Sequence, residues 1–227
     1  MKHERLKEIA YTEIRQKILN AEFQPGTRIR EDRLAEEIAM SRTPVREAIH
    51  QLTAEGLLKQ VPRRGVYLND FTHEEILDLI DVRQALESLA VIRCIQHLTN
   101  DRLAKLKVFI DDYAQGIQEN DNHKCNQADL AFHREIANQS NNTILQQHLA
   151  AIEVKIHIAR ISDRFNDPIR KNKATLKEHA LILQAITDRD KTAAVITVRN
   201  NITHMKQHFE RDVAPLMTEV MGINHTN

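Results

Sequence analysis

The chain has 227 residues, with 32 Lys or Arg against 32 Asp or Glu, and so a formal net charge of zero. With 41% hydrophobic residues and only five Gly and five Pro, it can build a real core and favours helices. Neutrality excludes a general polyanion binder, so any nucleic-acid surface has to be a local patch. Two cysteines far apart in sequence, Cys94 and Cys125, exclude a disulfide framework. The opening MKHERLKEIA has no apolar signal core, and no run approaches the roughly eighteen apolar residues of a membrane span. A cytoplasmic protein that makes no membrane contact is expected.

The first helical segment is expected over about 6–19, with Ile9, Ile14 and Ile18 on one face. Pro25-Gly26 stops it. A short helix follows at 31–40, with Leu34, Ala35 and Ile38 turned inward. Ser41-Arg42-Thr43-Pro44 opens another, because Ser41 or Thr43 can cap it and Pro is tolerated in the first turn. That helix carries Val45, Ala48, Ile49 and Leu52 and ends near Gly56. The period then changes. LLKQV and GVYL are short and partly β-branched, and Pro62-Arg63-Arg64-Gly65 lies between them. They read as a hairpin, the only β-structure expected in the chain. From Phe71 onward the pattern is helical, at about 73–97, 100–119, 121–139, 142–165, 168–188 and 190–216. Asn100-Asp101, Asn141-Asn142 and Asp188–Asp190 mark the breaks. A division into 1–70 and 71–227 follows.

Two short helices about Ala39-Met40-Ser41 and then a basic hairpin form a winged helix-turn-helix pattern. Residues 41–65 hold five Lys or Arg and two Glu, so this region is basic within a neutral chain. Arg42 and Arg46 lie four apart at a helix N-terminus and share a face. Arginine pairs bidentately with guanine or bridges phosphates, and a helix N-terminus suits phosphate as well. Arg63-Arg64-Gly65 at the hairpin tip can reach a flanking groove. The competing reading is a solvated basic surface on a small helical domain.

In the second part, DLAFHREIANQSNN sets Asp129 and His133 four apart on one helical face. EHALILQAI supplies His179, and VRNNITHMK supplies Asn201 and His204. Carboxylate and imidazole from separate helices can hold a divalent metal in a bundle. With twelve His in the chain, such a pair also arises by chance, and surface or satisfied core histidines are the alternative.

PGTRIREDRLAEEIAMSRTPVREAIHQLTAEGLL followed by PRRGVYL resembles the winged helix-turn-helix signature of GntR-type bacterial transcription regulators. The resemblance implies DNA-facing roles for Arg30, Arg33, Arg42, Thr43, Pro44 and Arg46, and a wing tip of Arg63, Arg64 and Gly65. DVRQALESLAV, DLAFHREIANQSNNTIL and EHALILQAITDRDKTAA resemble three successive blocks of the FCD effector domain of the FadR subfamily. The implied fold is mainly α, a winged helix-turn-helix (three helices plus a β-hairpin) followed by an all-α FCD bundle.

The resemblance implies metal ligands at Asp129, His133 and His179. The usual fourth histidine is replaced by Asn201, and His204 lies about 300° further round the helix. Asn201 ligating through its carbonyl, His204 substituting, or a weakened site are the three outcomes, and Asn201 is the one adopted. Zn²⁺ is the first expectation; Ni²⁺ or Mn²⁺ would also suit. The resemblance places Arg83, and less clearly Arg160, at the effector cavity, where an arginine binds a carboxylate. An Arg83–Glu87 ion pair at i, i+4 is the plain alternative. The implied function is a homodimeric, ligand-responsive repressor of double-stranded operator DNA, released by a small carboxylate. A metal-dependent enzyme or a metal sensor built on Asp129, His133 and His179 are the rivals.

Overall fold

The computed structural model describes residues 2–161 and 169–220. Its residues fall into two compact units. The first gathers the chain up to Thr72 together with a later stretch that begins at Val154; the second holds the remainder.

In the first unit, α1 (Lys2–Leu19), α2 (Glu31–Glu37) and α3 (Arg42–Ala54) pack with β1 (Arg28–Ile29), β2 (Leu58–Val61) and β3 (Gly65–Leu68). The stripe of α1 that is buried is Ala10, Ile14 and Ile18, at i, i+4, i+8. Ile9, expected on that face, is 39% exposed. Leu34 and Ala35 of α2, and Val45, Ala48, Ile49 and Leu52 of α3, complete the helical side of the core, with Ile38 partly buried against it. Helix α2 ends three residues before the expected Met40. Ala39 turns into the left-handed region (φ 52°), and the Met40 amide donates back to the Ala35 carbonyl at 2.9 Å.

The β-structure exceeds the expected hairpin. A two-residue strand, β1, pairs antiparallel with β3, giving a three-stranded sheet in the order β1-β3-β2. Ile29 faces Val66, and Leu58 faces Leu68 on the other side. Two residues are too few to show an alternation in sequence.

The second unit is built from α4 (His73–Gln96), α5 (Asn100–Glu119), α6 (Asn122–Gln139), α7 (Thr143–Ile161), α8 (Ile169–Thr187) and α9 (Lys191–Val220). Polar residues at or beside the expected breaks cap these helices. Thr99 and Asp121 accept from the amides of Arg102 and Lys124. Asn142 and Asp190 do the same for Leu145 and Ala193. Asn120, Asn141 and Arg189 take left-handed φ where helices stop. Of the expected helix over 142–165, the last four residues lie outside the described residues. Val154 and Ile158 of α7 are buried in the first unit's core. Among the described residues no helix is long and apolar enough to cross a membrane.

Helices α5 and α6 approach closely at Gly116. A Cβ there would lie 2.8 Å from Cys125 Sγ and 3.0 Å from the Cys125 backbone nitrogen. Gly116→Ala is therefore expected to destabilise the protein by about 1–3 kcal/mol through overpacking. Denaturant unfolding reads this as a lower midpoint at unchanged slope. An unchanged midpoint would mean that the α5–α6 contact yields freely.

Candidate nucleic-acid interface and metal centre

Helix α3 presents its N-terminus to solvent. Ser41 is its N-cap by backbone conformation, but the hydroxyl makes no capping hydrogen bond. Arg42, Thr43 and Arg46 are exposed, leaving the amides of the first turn and two guanidinium groups on the open face. Pro44, expected among the DNA-facing residues, is instead buried: its ring packs inward and fixes the start of the helix. Arg46 Nε lies 3.0 Å from Glu31 Oε2, and Arg30 Nη2 lies 2.7 Å from Asp32 Oδ2. Arg33 is exposed. Such solvent-exposed pairs contribute little and exchange readily for a phosphate or base partner.

The turn between β2 and β3 carries Arg63 and Arg64, both exposed, with Arg63 at φ 62° and Gly65 at φ 110°. Gly65 is required by that φ and by its neighbour, since a Cβ would meet Arg28 Nε at 3.1 Å. Arg28 is the cation that sequence reasoning missed. It is exposed on β1, opposite Tyr67, and joins Arg63 and Arg64 at the same end of the sheet. Its only sequence signal was Thr-Arg-Ile directly after Pro-Gly.

In the second unit, Asp129 and His133 on α6 and His179 on α8 converge, with one ligand atom from each lying within 4.8 Å of the others. Asp129 Oδ1 is 3.3 Å from His179 Nε2 and 3.9 Å from His133 Nε2. His179 is 1% exposed. Phe132 stacks on its ring at 4.6 Å, and Tyr113 and His133 meet it edge-on at 5.5 and 5.2 Å. Among the described residues His179 Nδ1 has no hydrogen-bond partner, and Nε2 has only the Asp129 carboxylate beside it, without completing a hydrogen bond. Burial holds the His179 imidazole below its usual pKa, against the pull of Asp129, and so favours the neutral form that ligates metals.

His133 turns its other nitrogen, Nδ1, to Glu87 Oε2 at 2.6 Å. The second oxygen of Glu87 accepts from Arg83 Nε, also at 2.6 Å. All three side chains are buried. Burial works against the Glu87 carboxylate, but Arg83 and then His133 outweigh it and hold its pKa at about 2. Arg83 thus forms the i, i+4 pair of the plainer reading, and it also donates to Met205 Sδ at 3.4 Å. Arg83, Glu87 and His133 line a cleft of about 270 Å³ together with Leu130, Ala137 and Leu149. Asn138, Gln146, Gln147, Arg134 and Glu153 supply further polar groups there. Arg160 belongs to the first unit and is not among the lining residues.

Asn201 on α9 is buried and donates its amide to Glu178 Oε2 at 2.7 Å. His204 is mostly exposed and pairs with the other oxygen of Glu178. The structure therefore brings Asp129, His133 and His179 together and leaves His204 outside the cluster. Glu87 and Glu178 are the partners that sequence reasoning did not assign to the site.

Residues 78–210 match the FCD domain family, and residues 6–68 match the family described as bacterial regulatory proteins, gntR family. An uncharacterized HTH-type transcriptional regulator of Bacillus subtilis, YdhC, is 28% identical over 88% of this chain and 89% of its own. The Nta operon transcriptional regulator of Aminobacter aminovorans is 30% identical over 83% and 86%. The gluconate operon transcriptional repressor of B. subtilis is 23% identical over 89% and 84%. Among solved structures, E. coli McbR/YncC shares the fold with a TM-score of 0.78 at 20% identity, over 91% of this chain and 97% of that one.

The depressed Glu87 carboxylate has a stability consequence. Its contribution is complete above the unfolded value of 4.5 and is lost as pH falls from there toward about 2. Glu87→Gln leaves Arg83 buried and unpaired, which is expected to cost about 3–5 kcal/mol near neutral pH. Denaturation at a series of pH values should show the gap between the two proteins narrowing across that window. A gap independent of pH would contradict the assignment.

Proposed function

The chain belongs to the GntR family of bacterial transcription regulators and carries an FCD domain; from that premise, we propose that it is a metal-bearing repressor released by a small carboxylate. The relatives named above are regulators, and the enzyme alternative is dropped. The DNA-binding domain is assigned to residues 1–70 and the effector and dimerisation domain to 71–227. Two copies of the chain would read a two-fold related operator. The repressor named among the relatives supports the direction of control.

The observation that carries the sensor half of this reading is His179. A buried imidazole whose Nδ1 has no partner among the described residues, and whose Nε2 meets only the Asp129 carboxylate at 3.3 Å, is costly unless something ligates it. An anionic oxygen and a second imidazole nitrogen lie beside it, and two nitrogens with a carboxylate suit a divalent ion of the zinc type. Asp129, His133 and His179 would hold the ion, with the buried Asn201 as fourth donor. The bound ion would supply a positive centre that attracts a carboxylate. Arg83 is the chain's own anion-binding group at the cleft, and the amides of Asn138, Gln146 and Gln147 suit hydroxyl or carbonyl oxygens on the ligand. Leu130, Ala137 and Leu149 exclude water from its apolar part. A ligand held there shifts operator affinity only by binding one arrangement of the dimer better than the other.

In the DNA-binding unit, Arg42 and Arg46 are the base-edge readers. Arg63, Arg64, Arg28, Arg30 and Arg33 are sequence-independent contacts, and Thr43 is a phosphate partner. Operator selected from a random-sequence DNA pool provides the probe. Arg42→Ala and Arg46→Ala are each expected to weaken binding to it by about 1–3 kcal/mol. Unchanged affinity in both variants would overturn this assignment. A panel of small carboxylates should contain one that releases the metal-loaded protein from this DNA, and His179→Ala should lose that response while still binding operator. If affinity follows Zn²⁺ alone and no carboxylate alters it, the metal-sensor reading replaces this one.

A further inference from the structure

Glu87 is placed where no metal ligand is expected, yet it is one of the most constrained charges in the second unit. It lies on α4 with 4% exposure. One oxygen accepts from Arg83 Nε and the other meets His133 Nδ1, each at 2.6 Å. A carboxylate accepts and cannot donate, so the proton of that contact belongs to His133 Nδ1. The lone pair of the neutral ring is then on Nε2, the nitrogen that faces Asp129 at 3.9 Å. The same side chain that orients the ring therefore also selects its tautomer.

We propose that Glu87 is a positioning residue for the metal centre, fixing His133 with Nε2 free to ligate, and that Arg83 acts on the centre through it. The inference rests on the metal reading above. Arg83 draws on one oxygen of the carboxylate and so competes with His133 for its charge. A ligand anion that takes up the charge of Arg83 leaves more of the Glu87 charge for His133, and makes Nε2 a stronger donor. Metal and anion binding then reinforce one another, and by linkage each raises the affinity for the other by the same factor.

A substitution at Glu87 alone strands the Arg83 charge, so the test replaces the pair. The variant Arg83→Met/Glu87→Gln holds no unpaired buried charge, and Arg83→Met is its reference, leaving the carboxylate as the difference between them. The affinity of the full-length protein for Zn²⁺ alone is measured by competition with a chromophoric chelator. The ¹⁵N resonances of the His133 ring report its tautomer in the metal-free proteins. Thermal unfolding of the same samples follows any purely structural effect. The expected result is a loss of about 10–100-fold in Zn²⁺ affinity in the double variant relative to Arg83→Met, with the Nδ1-protonated form no longer dominant. Equal affinities, in an assay where Asp129→Ala abolishes binding, would overturn the role of Glu87 and leave the metal centre standing. Wild-type protein that binds Zn²⁺ no better than Asp129→Ala would overturn both.

Discussion

A buried carboxylate shared between a guanidinium and an imidazole is the constraint on which the FCD domain depends. Arg83, Glu87 and His133 are removed from water together, and such burial is costly unless each charge is answered. Here both oxygens of Glu87 are used, and the desolvation of the carboxylate is offset by the two groups beside it. Apolar residues of the same volume are often as stable in place of a buried ion pair. The network therefore points to a use other than stability. What it supplies is a fixed imidazole at one end and a held cation at the other, both on the wall of the same cleft. His179 completes the arrangement from α8, shielded by Phe132 and Tyr113, with the Asp129 carboxylate beside its Nε2 and no partner for its Nδ1 among the described residues.

The DNA-binding unit solves a different electrostatic problem. A chain of zero net charge has to attract a polyanion locally. Exposed arginines gather at three sites: the start of α3, the turn after β2, and the short strand β1. Arg30 and Arg46 are held meanwhile by Asp32 and Glu31. These pairs are weak in solvent, so little is lost when another partner takes the side chains. The apolar side of the same unit is continuous, from Ala10, Ile14 and Ile18 through α3 to Leu58 and Leu68, with Val154 and Ile158 added from α7.

Much of this was legible in the sequence because it is periodic or punctuated. The inward face of α3 shows at Val45, Ala48, Ile49 and Leu52, and the breaks read at Asn100-Asp101, Asn141-Asn142 and Asp188–Asp190 fall at helix ends. Asp129, His133 and His179 could be named from their family blocks, and the structure brings them together. The misses also have physical reasons. β1 is two residues long, too short for a pattern, and with it went Arg28. Ile9 was drawn into the buried stripe by its hydrophobicity, although the helical spacing of Ile14 and Ile18 points to the small Ala10. Pro44 was read as a contact residue because it lies within the signature, whereas its ring is a helix-starting device turned inward. Glu87 was read only as the neighbour of Arg83, because its contact with His133 joins α4 to α6 across 46 positions and no local spacing reports it. The partnership of Asn201 and His204 with Glu178 is equally non-local. It distinguishes a buried amide from an exposed imidazole that sequence alone left as alternatives.

The proposed sensor rests on a metal centre formed by Asp129, His133 and His179. Anomalous diffraction at a metal absorption edge, from crystals of protein purified without chelator, tests it most directly. One strong anomalous peak per chain is expected between those three side chains, lost in His179→Ala crystals. Well-ordered side chains at this position with no anomalous peak, in protein supplied with Zn²⁺, would contradict it.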